Sequence, residues 1–129
     1  MKSRESVLRL KRFQVQEKAR QVSQIDTMIA DFSRMEADLD GQIAYEEKKA
    51  GITDPEHFAY PTFAKAARQR RENLQTSRTD LENQKEAAAE ALSDAQVELA
   101  KLEAKEKRDG QTSEAPNEMS DYERAGMIG

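Results

Sequence analysis

Apolar residues recur every seven positions along the first arm of the chain: Leu8, Val15, Val22, Ile29 and Ile43, with Glu36 the charged member of the row. Three positions on from that row, Ile25, Phe32 and Leu39 join it, and the two rows make an a/d seam that is strongest from Val22 to Ile43. Earlier in the second row stand Lys11 and Lys18, so the N-terminal part of the seam is weaker. Met28 and Met35 lie beside it and widen the stripe as adaptable packing or contact residues. A second arm repeats the pattern with Ala67, Leu74, Leu81, Ala88, Ala95 and Leu102. Its companion row is Ala64, Arg71, Arg78, Lys85, Leu92 and Leu99, apolar at both ends and basic in the middle. Those basic side chains must snorkel out of the seam or face acids on the opposite arm.

Both arms are free of proline, which costs roughly 3 kcal/mol in a helix interior. Pro55 and Pro61 sit between the arms and Pro116 sits beyond them. The expected elements are a first helix over 3–48, a turn over 49–62 and a second helix over 63–107, together forming a helical hairpin over 1–109. A flexible acidic tail is expected over 110–129. Gly51 is the expected C-cap of the first helix, behind Lys48 and Lys49. Asp54 and Pro55 read as an N-cap followed by the first residue of a short helical turn, and Thr62 as the cap of the second long helix. Gly110 is its expected terminator.

Charge converts two helices into a direction. Residues 2–20 carry seven basic and two acidic side chains, 21–64 three and nine, and 65–78 five and one. If the chain folds back near residue 55, basic 2–20 faces the segment holding Glu90, Asp94, Glu98, Glu103 and Glu106. Basic 65–78 then faces Glu36, Asp38 and Asp40. A parallel, in-register dimer would set each block against itself, where like charges repel. The pattern therefore predicts an all-α fold: a long antiparallel two-helix coiled-coil hairpin, monomeric, with a disordered C-terminal tail. Leu10, Phe13 and Met28 remain as leftover apolar positions through which copies could associate.

Composition narrows the function. The chain of 129 residues is 36% charged and has no cysteine and no tryptophan, which suits a narrow seam and excludes disulfide and thiolate chemistry. No apolar run approaches the roughly 18 residues that span a bilayer, and the charged N-terminus has no apolar signal segment. A cytoplasmic location, with at most a peripheral membrane contact, is expected. The single histidine, His57, stands in the break as a solvated residue with no second histidine or cysteine to share a metal. Carboxylates are plentiful, but a two-helix hairpin offers no pocket to separate their pKa values. No phosphate-binding glycine loop occurs. No enzyme activity and no cofactor or metal is expected. The basic runs Lys65, Arg68, Arg70, Arg71 and Arg9, Lys11, Arg12 lack interleaved aromatics in a chain of net charge -4, so no nucleic-acid partner is expected.

The aromatics are concentrated at the break: Tyr45, Phe58, Tyr60 and Phe63. Two roles are open to them, plugging the end of the hairpin or anchoring a partner.

The opening MKSRESVLRLKRFQV, the segment IDTMIADF at 25–32 and above all the hinge GITDPEHFAYPTFA at 51–64 resemble the flagellar export protein FliJ family, in its short alphaproteobacterial-type form. The resemblance covers roughly 1–108. It implies an antiparallel two-helix coiled coil, similar to the central stalk of rotary ATPases, in the flagellar type III export apparatus. One end would enter the ring of the export ATPase FliI. The protein would also contact the export-gate protein FlhA and assist export chaperones at the inner membrane. Tyr45, Tyr60 and Phe63 best match the family's gate-contacting region, and the acidic tail departs from it by lacking a long continued C-terminal helix.

Overall fold

A computed structural model describes the backbone of residues 2–114 and the side chains of residues 3–110. It contains two helices, α1 (Lys2–Ala50) and α2 (Thr62–Glu114), and no strand among the described residues. The two run antiparallel as an all-α helical hairpin, and their contacts fall into two compact units.

The unit spanning Ala19–Glu90 contains the turn. Its core is Leu39, Ile43 and Ala67, with Leu74 packed against them. Ala64 and Leu81 are buried in the same two seam rows. These are positions that the heptad pattern assigns to the seam, so the cause is the one inferred from spacing: two apolar stripes leave water together. Ion pairs run along the unit in opposite chain directions. Asp26 meets Lys85 at 2.7 Å, Glu36 meets Arg78 at 2.6 Å, Asp40 meets Arg71 at 2.8 Å and Glu47 meets Arg68 at 2.9 Å. Asp38, expected on this flank, is exposed.

The second unit joins α1 as far as Lys18 to α2 from Ala91 onward. Here Leu8 is buried, and Lys11 reaches Glu98 at 2.9 Å, Arg12 reaches Glu103 at 3.0 Å and Arg4 reaches Glu106 at 3.0 Å. In each unit the basic block meets the acids that antiparallel folding brings to it.

Three boundaries differ from the sequence expectation. Gly110 lies inside α2, which continues to Glu114. Asp109 beside it pairs with Arg4 at 3.3 Å and Gly110 is partly buried. That packing offsets the cost of roughly 1 kcal/mol that glycine imposes in a helix interior. Thr62 is the first helical residue and not the cap, because Pro61 already accepts the first helical hydrogen bond, from the Lys65 N–H at 3.0 Å. Asp54 and Pro55 open a turn and not a helix. Residues 115–129 of the expected tail lie outside the described residues.

Candidate functional site

The link between the helices is built from local hydrogen bonds. Gly51 closes α1 in the left-handed region at φ 72°, donating to the Glu47 carbonyl at 2.8 Å. Ile52 donates to the same carbonyl at 3.3 Å, which satisfies the helix end as a glycine C-cap does. The Asp54 carboxylate then accepts the Glu56 N–H at 2.9 Å, and its carbonyl accepts the His57 N–H at 3.1 Å. His57 in turn accepts twice: its carbonyl takes the Tyr60 N–H at 3.0 Å and its Nδ1 takes the Ala59 N–H at 3.0 Å. The second bond leaves the ring proton on Nε2. The imidazole stacks on the Phe58 ring with centroids 4.8 Å apart.

This wiring divides the four aromatics. Tyr60 is turned inward at 7% exposure, whereas Phe58 is 97% exposed, Tyr45 64% and Phe63 56%. Tyr60 plugs the hairpin end, and the other three face outward. Tyr45 and Phe63 share a surface groove of about 650 Å3 with Asp38, Gly41, Gln42 and Glu46.

Tyr60 is held by a closed triangle. Its hydroxyl donates to Glu47 Oε2 at 2.6 Å and accepts from Arg68 Nε at 2.8 Å. Arg68 Nη2 also donates directly to Glu47 Oε2 at 2.9 Å. The guanidinium carbon stands 5.9 Å from the centre of the Tyr60 ring. The hydroxyl of Tyr60 and the guanidinium of Arg68 hold the Glu47 carboxyl below the usual carboxylate range. Burial, and then the Glu47 carboxylate, push the Tyr60 phenol above its ordinary value. Glu47 and then Tyr60 raise Arg68 further. At neutral pH the triangle is therefore anion, neutral phenol and cation. None of the three is poised to exchange a proton near pH 7, so the arrangement is a clamp and not an acid–base pair.

Sequence reading singled out Tyr60 and placed Arg68 in a basic run, but it did not connect either to Glu47. Tyr60 and Arg68 are 13 and 21 positions from Glu47 along the chain, and no local motif joins the three. Of the two basic runs, Arg68, Arg71, Lys11 and Arg12 are engaged with acids of the opposite helix. Among the described residues no group of three or more potential ligands could hold a metal ion, and no helix is long and apolar enough to cross a membrane. A scan of protein-family models and searches of curated proteins and of solved structures find no match to this chain.

Proposed function

We propose that this chain is a non-enzymatic component of the bacterial flagellar type III export apparatus, a counterpart of the FliJ family. One observation carries the reading. The segment 51–64 that bears the family resemblance forms the hydrogen-bonded link between two antiparallel helices, and it presents Phe58 and Phe63 to the outside. Rigid, exposed aromatics anchor interfaces at low entropic cost. In this reading the hairpin couples the ring of the export ATPase FliI to the gate protein FlhA and assists export chaperones. It works in the cytoplasm, peripherally at the inner membrane beneath the flagellum. Tyr45, Phe58 and Phe63 make the gate contact, and Tyr60 keeps the turn in shape for it.

A clean deletion is expected to reduce or abolish motility and filament export, and normal flagella in the deletion strain would sink the proposal. In vitro, Phe58→Ala with Phe63→Ala is expected to weaken binding to the purified cytoplasmic domain of the gate protein while leaving helicity intact.

A second reading, a self-associating coiled-coil scaffold with no ATPase partner, is favoured by the exposed apolar residues of α1, Leu10, Phe13, Met28 and Met35. Measuring affinity for a purified hexameric export ATPase separates the two readings.

A further inference from the structure

The unit that joins α1 as far as Lys18 to α2 from Ala91 onward has an apolar face that the hairpin does not use. Leu8 is buried, and Leu10 lies about 160° around the helix from it. Val7, Leu10 and Phe13, each about half exposed, follow one another at three-residue spacing and span an arc of about 120° on the outward side of α1. Ser3, Ser6 and Gln14 fill the spaces between them. No carboxylate interrupts this face. Glu5 lies beyond Arg9, and Glu17 follows the last apolar residue by one turn and has a partner of its own.

Cations rim the face on both sides. Arg9 borders Phe13 on α1 and is exposed. On the other side Lys105 of α2 lines a small cavity with Val7, and Lys101 stands one turn earlier on α2; both are exposed. Val97, one turn before Lys101, adds a fourth exposed apolar residue. The acids of this unit are mostly engaged within the hairpin: Glu98 meets Lys11, Glu103 meets Arg12, and Glu106 and Asp109 meet Arg4. Among the described residues of the unit, Arg9, Lys18, Lys101, Lys105 and Lys107 form no ion pair, against Glu5 and Asp94 on the acidic side. Asp94 is two turns from Lys101 along α2, away from Val7. The free charge around the face is therefore positive, although the whole chain carries -4. Shape narrows the occupant further. The cavity beside Val7 holds only about 90 Å3, whereas pockets that seat a ligand start at about 300 Å3. A convex apolar stripe with a cationic rim and no seat for an anchoring side chain fits a bilayer interface, which moulds to a helix and carries its negative charge where lysine and arginine can reach by extending.

We propose that this face docks on an anionic lipid surface, with Val7, Leu10 and Phe13 entering the boundary between headgroups and acyl chains and Arg9, Lys101 and Lys105 reaching the phosphates around them. With three inserted side chains and a few cations the contact is weak and reversible. It is a direct attachment to lipid, which a peripheral location through the gate protein would not need. It holds whether or not the chain serves flagellar export.

The test mixes the full chain with protein-free vesicles, of phosphatidylcholine alone or with phosphatidylglycerol added, and floats them through a density gradient. Association is expected with the anionic vesicles only, and is expected to be lost as salt is raised to about 0.5 M and screens the cations. Arg9→Gln or Lys105→Gln is expected to weaken it about fivefold each, the effect of one basic residue near an anionic surface. Leu10→Ser with Phe13→Ser is expected to abolish it with unchanged helicity, because both side chains are exposed. The chain has no native tryptophan, so a single introduced one reports depth. Phe13→Trp emission is expected to shift to the blue on anionic vesicles and to be quenched by brominated acyl chains, whereas Phe58→Trp at the turn keeps its aqueous spectrum. No association with anionic vesicles, equal association with neutral ones, binding that survives the double serine variant, or a blue shift at Phe58→Trp in place of Phe13→Trp would each overturn the proposal. The assay contains no export component, so its outcome is separate from that of the deletion strain.

Discussion

Deleting one oxygen atom, in Tyr60→Phe, tests the clamp at the hairpin end. The hydroxyl makes two contacts with charged groups, at 2.6 Å to Glu47 and 2.8 Å to Arg68. A hydrogen bond to a charged group contributes about 1.5–3 kcal/mol when its loss leaves the partner buried and unpaired. Here the direct Glu47–Arg68 contact at 2.9 Å survives, and the Arg68 side chain is accessible enough for water to replace the lost acceptor. The expected loss is therefore about 1–2 kcal/mol in total, less than two full bonds. For a chain of this size that lowers the melting temperature by about 3–8 °C in a far-UV circular dichroism melt. The ring still fills its place, so the effect belongs to the hydroxyl and not to packing. Tyr45→Phe, which removes an exposed hydroxyl, serves as the control and should melt with the parent. The pH dependence follows from the directions of the shifts. The Glu47 carboxyl is lowered in the folded chain, so its contribution is complete above its unfolded pKa of about 4.3 and is lost as pH falls through the lower folded value. The Tyr60 phenol is raised, so its contribution is complete below about pH 10 and is lost as pH rises through the higher folded value. The gap between parent and Tyr60→Phe should be widest at neutral pH and shrink toward both extremes. A variant as stable as the parent at pH 7 would refute the clamp.

Two further substitutions separate local backbone demands from packing. Gly51→Ala forces a side chain into the left-handed region at φ 72° and should destabilise by about 1–2 kcal/mol, whereas Gly110→Ala, in helical backbone where a Cβ meets nothing within 4 Å, should stabilise by about 0.5–1 kcal/mol; urea titration of both reads the contrast. Leu39→Ala opens the core around Ile43 and Ala67 and should cost about 2–5 kcal/mol by the same titration, while Leu10→Ala on the exposed face should stay within about 0.5 kcal/mol under dilute conditions.

The seam was legible because its signal is distributed. Residues such as Leu39, Ile43, Ala64 and Leu81 each obey one period, and a single exception like Glu36 does not erase it. The direction of folding was legible for the same reason, since it depends on blocks of charge and not on one pair. The errors lie where one residue decides. Gly110 reads as a terminator from its intrinsic cost, but Arg4, more than a hundred positions away, holds Asp109 against α1 and the helix continues. The role of Tyr60 was open between plug and anchor because the partners that settle it, Glu47 and Arg68, are brought to it only by the fold.

Register has two locks, and the second decides what the first leaves open. Alanines at 64, 67, 88 and 95 give the interface little shape to resist a slip of seven residues, because each row would still meet the same kind of row. Glu36 is the charged member of an otherwise apolar row and takes Arg78 through two contacts, at 2.6 and 3.3 Å. It raises Arg78 above its ordinary value. A half-buried ion pair of this kind adds little net stability against an apolar replacement, and its best-attested use is to fix alignment. By itself the pair is ambiguous, since Arg71 or Lys85 could take the place of Arg78 after a one-heptad slip. The hairpin end removes that ambiguity. Tyr60, one residue before Pro61 and the start of α2, is bonded at once to Glu47 near the end of α1 and to Arg68 in the second turn of α2. A slip of seven residues would break that triangle, leaving a buried phenol without its partners. The turn therefore sets which arginine Glu36 meets, and the exposed aromatics around it stand on a backbone whose position is fixed from both helices.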